Sequence, residues 1–341
     1  MKKLLAVLTA VLLLLTLGAC RSEPDEEQDM HTKDIFAMDT YMTLKTYGKN
    51  GEEALTRSEQ EIHRLDKLLS TGSASSEVGA INEKGSGTLS EDGRVLLKKS
   101  LELYDMTDGA FDVSIYPVMK LWGFTDQEYK VPKDSQLQEA LALVNAGDLV
   151  FDAKTGDVSF AKDGMAMDFG GIAKGYTSQR LTEIIKDAGV ESALINLGGN
   201  VQTVGTRPDG SDWRIGIQAP DNEEDVIGGI ETHDMAVITS GGYERFFEED
   251  GVRYHHIIDP STGYPADNGL TSVTIVCDDG MTADGLSTAL FVMGKEKAME
   301  FWKAHKDLFQ CVLVDEDGAL YVSEGLKESF TAMGGRTAAY F

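Results

Sequence analysis

Six stretches in the C-terminal half decide the fold: SALINLGG (192–199), WRIGIQ (213–218), MAVITSG (235–241), RYHHIID (253–259), LTSVTIVC (270–277) and CVLVDEDGALYVS (311–323). Each is rich in Val, Ile, Leu, Thr or aromatic residues, and Gly, Pro, Asn and Asp breaks lie between them. That is the pattern of short strands joined partly by hairpins. Working outward, apolar residues recur at helical spacing over 52–69, 90–104, 137–146, 171–189, 282–293 and 295–305. The Ser/Gly run 70–76 ends the first of these, and Gly189 stands at the C-cap of the fourth. YMTLKTYG (41–48) alternates as a strand, and LVFDAKTGDVSF (149–160) reads as a hairpin. Strands and helices alternate irregularly, without the regular succession of a doubly wound nucleotide fold. The expectation is therefore an α+β fold with mixed, largely antiparallel sheets and flanking helices.

The N-terminus asks for separate treatment. Lys2 and Lys3 precede an apolar run over 4–17, and Leu17-Gly18-Ala19-Cys20 closes it with small residues before a cysteine. This is a secretory signal layout, too short for the ~20 residues of a membrane-spanning helix. Leu-Gly-Ala-Cys is similar to the lipobox of bacterial lipoproteins, which makes Cys20 the lipidation site. The expected organisation is a signal peptide over 1–19, a polar tether over 20–33 and a folded domain over 34–341, in one lobe or two. The localisation expected is the outer face of a bacterial cell membrane, held by lipid. The two remaining cysteines, Cys277 and Cys311, lie in β-like apolar runs with no CxxC, so buried thiols are favoured over a disulfide.

Charge narrows the partners. The chain has 31 Lys and Arg against 57 Asp and Glu, a net charge of −26, which argues against nucleic acid. Glycine is in excess, 36 of 341 residues, and much of it falls in polar clusters: DFGGIAKGY (168–176), NLGGN (196–200), TSGGYERFF (239–247) and HHIIDPSTGYP (255–265). GGIAKG at a helix start suits an anion, through backbone N–H groups, helix dipole and Lys174; close packing of the helix explains the same glycines. Asp284 and Thr288 stand at i and i+4, so a carboxylate and a hydroxyl share a helical face. Such hard oxygens suit Mg²⁺, while Asp in a first turn also serves the dipole alone. Asp112 and Asp168, lone acids among apolar residues, are paired, capping or functional. His255 and His256, adjacent in a strand, point to opposite faces, one toward a pocket and one toward the outside. No HExxH or GxSxG is present, and zinc is not expected.

Taken together, MDT (38–40), GAFDVSIYPV (109–118), MDFGGIAKGY (167–176), LINLGGN (194–200), WRIGIQAP (213–220), SGGYERFF (240–247), HHIIDPSTGYPA (255–266) and ADGLSTALFVMG (283–294) resemble the ApbE family of FAD:protein FMN transferases, in the family's order. The resemblance implies an ApbE-like, T-fold-like catalytic domain. It also implies Mg²⁺-dependent attachment of FMN from FAD to a Thr of an exported or membrane flavoprotein, with release of AMP. On the motif positions it makes Asp284, Thr288 and the backbone of Gly171 the Mg²⁺ ligands, and His256 the general base or a histidine that bonds ligand or backbone. Met38, Asn82, Ala110, Phe111, Asp112, Asp168, Lys174, Ile258 and Asp259 would line the FAD pocket, with core packing the other reading of Phe111. The Ser-rich segment before SEVGAIN (76–82) departs from relatives that carry aromatic or Pro-containing sequence there, which leaves the adenine side open. Two rival functions share the residues: an Mg²⁺-dependent FAD pyrophosphatase giving FMN and AMP, and a non-catalytic flavin-binding lipoprotein.

Overall fold

The computed structural model describes residues 29–341. The expected signal peptide and Cys20 lie outside the described residues. The chain opens with a hairpin, β1 (Met30–Ala37) and β2 (Thr40–Tyr47), then α1 (Gly51–Leu69) and α2 (Glu77–Lys84). Strand β3 (Ser86–Thr88), helices α3 (Glu91–Met106), α4 (Tyr116–Trp122) and α5 (Asp134–Leu141), and strands β4 (Leu149–Phe151) and β5 (Asp157–Phe160) follow. After α6 (Ala173–Asp187) come β6 (Ala193–Leu197), β7 (Asn200–Val204), β8 (Trp213–Ala219), β9 (Asn222–Thr232), β10 (Ala236–Gly241), β11 (Phe246–Glu249), β12 (Val252–His255) and β13 (Leu270–Cys277). Helices α7 (Gly280–Met293) and α8 (Lys295–Ala304) precede β14 (Gln310–Asp315), β15 (Leu320–Val322), β16 (Phe330–Ala332) and β17 (Ala338–Tyr340).

Nine strands form one sheet in the order β1-β2-β6-β7-β10-β13-β14-β15-β17, antiparallel except for the last pair. Its centre is covered on both faces, and strand alternation shows how. On β14, Cys311 and Leu313 enter the core built with α3 and α7, while Val312 and Val314 join Trp213, Ile215 and Phe330 of the sheet β16-β9-β8. Near the β1 edge, α1 and α6 cover Ile35, Met42, Leu44 and Ile195. The expected α+β architecture with mixed, mostly antiparallel sheets is what the chain adopts. Among the described residues no helix is long and apolar enough to cross a membrane.

Several boundaries differ from the sequence reading. Residues 20–28 of the expected tether lie outside the described residues, and Met30 to Lys33, counted in it, pair with Tyr47 to Leu44 in β1–β2. This stretch is an edge strand with mostly exposed polar side chains, so it carries no apolar alternation to read. The Ser-rich 70–76 run hides the start of α2, whose N-cap Ser76 accepts from Gly79 N and whose C-cap Gly85 is left-handed at φ 73°. The third expected helix is displaced, since the structure places α5 at Asp134–Leu141 and Asn145 caps a 3-10 turn instead. Helix α6 begins at Ala173, two residues later than expected, and Gly189 follows its C-cap at φ 77°. Cys277 and Cys311 are free and buried, and burial pushes the Cys277 thiol up to about 12. Neither is a reactive thiolate.

Helix α7 is buried along nearly its whole length, and it crosses α6 where Gly175 faces Gly280. A methyl on either glycine would overlap the other's carbonyl oxygen. Gly175→Ala is therefore expected to destabilise the fold by about 1–3 kcal/mol in urea titration, the range of core overpacking. Gly72→Ala, whose methyl would meet only the Ser70 hydroxyl at 4.0 Å, should stay within about 0.5 kcal/mol. Equal midpoints for the two variants would show that the crossing is not tight.

Candidate active site

Two neighbouring hairpins end at the same edge of the sheet. Met38 and Asp39 join β1 to β2 with φ of 50° and 57°, and Gly198 and Gly199 join β6 to β7 with φ of 64° and 91°. Both are two-residue turns with positive φ at each central position, as a type I′ hairpin requires. Glycine suits this geometry; methionine does not, and a non-glycine residue held there costs about 1–2 kcal/mol. The tolerated strain puts Met38, Asp39 and Thr40 on the wall of a cleft of about 750 Å³. The start of α6, the end of β10, the middle of α7 and the segment around His256 complete it.

Asp284 lies at its base, 5% exposed. Its Oδ2 accepts from Gly175 N at 2.7 Å and its Oδ1 from Asn200 Nδ2 at 2.9 Å. Burial raises its pKa, against the opposing pull of Lys174 and these donors. The first turn of α6 is thus capped by a carboxylate of α7, and Gly175 serves the helix crossing, which limits the anion reading of GGIAKG to Lys174 and the loop before it. Thr288, one turn along α7, touches Ser240 Oγ only at 3.4 Å. Gly171, against the Phe111 ring, lines the same cleft. One carboxylate, one hydroxyl and a backbone carbonyl fit Mg²⁺, which keeps waters and takes phosphate oxygens to fill its shell. Among the described residues no group of three or more His, Cys, Asp or Glu could hold a metal by itself.

His256 stands on the cleft wall, and the Arg245 carbonyl accepts both its backbone N–H at 3.0 Å and its Nδ1–H at 3.1 Å. That bond assigns the proton to Nδ1 and leaves the lone pair on Nε2. Burial, and then the positive charges of Arg245 and Lys174, pull its pKa down to about 3. The imidazole is neutral at physiological pH. His255 points away from the cleft lining, as expected, but not to the outside; it packs edge-on against Phe291, with Nε2 donating to the Ala266 carbonyl at 3.1 Å.

Met38, Ala110, Phe111, Asp112, Asp168, Lys174 and Ile258 also line the cleft. Asp112 does so with its carboxylate committed: Oδ1 accepts from Ser114 N and Oγ, and Oδ2 from Ala146 N. Phe111, 4% exposed, is core and cleft floor at once. Asp168 accepts from Gly170 N at 2.8 Å, and burial raises its pKa although Arg245 opposes this. Two expected residues are not on the lining. Asn82 binds the backbone of Met167 through both side-chain atoms, each at 2.8 Å, and so holds the approach to Asp168. Asp259 accepts from Ser261 N and Oγ and closes the DPSTGYP turn. Tyr243, Glu244, Arg245 and Asn200 line the cleft without having been singled out. TSGGYERFF and NLGGN mark their segments, but no periodicity distinguishes the residues within them.

The ApbE family model matches residues 38–313. A Klebsiella pneumoniae FAD:protein FMN transferase is 36% identical over 80% of this chain and 85% of its own length, and one from Vibrio cholerae is 32% identical over 91% and 94%. The crystal structure of the ApbE protein of Thermotoga maritima, 35% identical, superposes with a TM-score of 0.83 over 88% of this chain and 99% of its own. The flavin transferase ApbE of Vibrio cholerae, 29% identical over 88% and 99%, gives 0.79. In sequence, in fold and along most of its length, the chain belongs to the ApbE family.

Proposed function

We propose that the chain is an FAD:protein FMN transferase: a threonine hydroxyl of a target flavoprotein attacks the phosphorus of the FMN half of FAD, and AMP leaves. The observation that carries this reading is one cleft holding a neutral His256 with a free Nε2, the cation Lys174, and the oxygen pair Asp284 and Thr288. In the attack, the threonine Oγ–H gives its proton to Nε2, the Oγ–P bond forms, and the P–O bond of the pyrophosphate breaks with its electron pair going to AMP. Lys174 offsets phosphate charge in a protein of net charge −26. Mg²⁺, held by Asp284, Thr288 and the Gly171 carbonyl, would supply further neutralisation of the pyrophosphate. Met38, Ala110, Phe111 and Ile258 offer an apolar surface suited to the flavin rings. The LGAC sequence ending at Cys20 supports export and lipid anchoring on the extracytoplasmic face of the cell membrane, which fits an extracytoplasmic acceptor.

Incubation with FAD, Mg²⁺ and a peptide carrying the acceptor Thr should add the mass of FMN to the peptide. Free FMN and AMP alone would assign the chain to FAD hydrolysis instead. His256→Ala is expected to lower transfer at least about 10²-fold while flavin fluorescence still reports FAD binding; undiminished transfer removes the base from His256.

The pH profile tests the charge environment. Arg245, Lys174 and His255 all press on His256 in the direction of the neutral ring, and the acids Asp168 and Glu244 lie on the same cleft. With its pKa lowered to about 3, the lone-pair form survives as pH falls through 6.5. The kcat/KM for FAD should therefore show no loss attributable to His256 near pH 6.5, with its acidic limb lying lower. A limb at 6.5 that disappears in a His256→Gln background would contradict this.

A further inference from the structure

Arg245 stands out among the described cations by a buried nitrogen without a partner. Several others are paired, as Arg64 is with Glu61 and Asp92, or Lys295 with Asp315. The Arg245 guanidinium makes no ion pair and no side-chain hydrogen bond among the described residues, and its Nε is buried without a partner. Buried donors of this kind are normally satisfied. Arg245 lines the cleft, within electrostatic reach of Asp168, Glu244 and His256. Asp168 and Glu244 are nearby but neither closes an ion pair with it.

Position says what would satisfy it. Because the Arg245 carbonyl accepts from the imidazole Nδ1–H, the guanidinium and the free Nε2 belong to the same stretch of cleft wall. Lys174 acts on both His256 and Asp284, so it serves the end where the oxygen ligands lie as well, whereas Arg245 is the cation that acts most strongly on His256. The phosphorus under attack must lie next to the hydroxyl that Nε2 deprotonates. Its non-bridging oxygens, which gain charge as the Oγ–P bond forms, are the anionic groups nearest that wall. A planar guanidinium with several donors matches two such oxygens. We propose that Arg245 is a catalytic residue: it takes the non-bridging oxygens of the phosphoryl group being transferred and holds their developing charge. This rests on the phosphoryl-transfer reading above, but not on which nucleophile receives the group.

The test follows AMP release from FAD with Mg²⁺, with and without acceptor peptide. Arg245→Gln should lower kcat for AMP release by about 10²–10³-fold, the usual effect of removing a donor to transition-state charge, with FAD affinity within about threefold of the parent. Arg245→Lys, which keeps the charge and loses the fork, should recover about tenfold of that loss. Parent-like kcat in Arg245→Gln, or a loss confined to FAD affinity, overturns the assignment. If the Gln variant does not fold, the Lys variant decides: a kcat equal to the parent's overturns the assignment and a reduced kcat at full FAD occupancy upholds it. AMP release without any FMN-peptide would defeat the transfer reading alone and leave the Arg245 result standing.

Discussion

The carboxylate of Asp284 holds the site together. It sits at 5% exposure on a helix that is apolar around its circumference, where an uncompensated charge would be expensive. The donors that compensate it come from two other elements, the first turn of α6 and the start of β7. Three segments distant in sequence are thereby tied at one point, and each brings something to the cleft: α6 brings Lys174, α7 brings Thr288, and the β6–β7 turn brings Gly198 and Gly199. The glycine pair at the α6–α7 crossing permits the approach that this carboxylate needs. Structural and chemical roles are not separable here, since the carboxylate that caps the helix is also the one that lines the cleft.

Much of this was legible in the chain. The strand-rich half declared itself through β-branched runs and turn residues, because sheets covered on both faces demand near-continuous apolar character, as in LTSVTIVC. The i, i+4 placement of Asp284 and Thr288 followed from helix geometry, and their presence in an otherwise apolar helix was the clue to a site. Less legible were features set by tertiary contacts. Nothing local announces that Asn82 spends both side-chain atoms on the Met167 backbone, or that Asp259 closes its own turn. Helix α4 escaped because seven residues are too few for a periodic signal, although Pro117 in its first turn marks the start. Arg245 escaped for a different reason: its importance is an unmet hydrogen bond, which exists only once the surroundings are folded.

The acidic composition and the anionic ligand are reconciled by geography. Most of the charge is spread over exposed surfaces, where solvent and salt screen it. Within the cleft, Lys174 and Arg245 have no ion-pair partner among the described residues, while several surface cations are paired, as Lys33, Lys162 and Lys186 are. A small region of favourable potential thus survives inside a molecule of net charge −26.

The β11–β12 hairpin carries a mechanical consequence. Arg245 and His256 flank its open end, directly beyond the Phe246–His255 pair, and its tip is a two-residue Asp250-Gly251 turn with positive φ at both positions. The spacing between the Arg245 and His256 backbones is therefore a rung of a backbone ladder, set by the register of the hairpin and closed by the His256 N–H to Arg245 carbonyl bond. If the hairpin rocks as a body, the backbones of His256 and Arg245 travel together, so the cleft can widen and narrow without resetting the relation between the two residues.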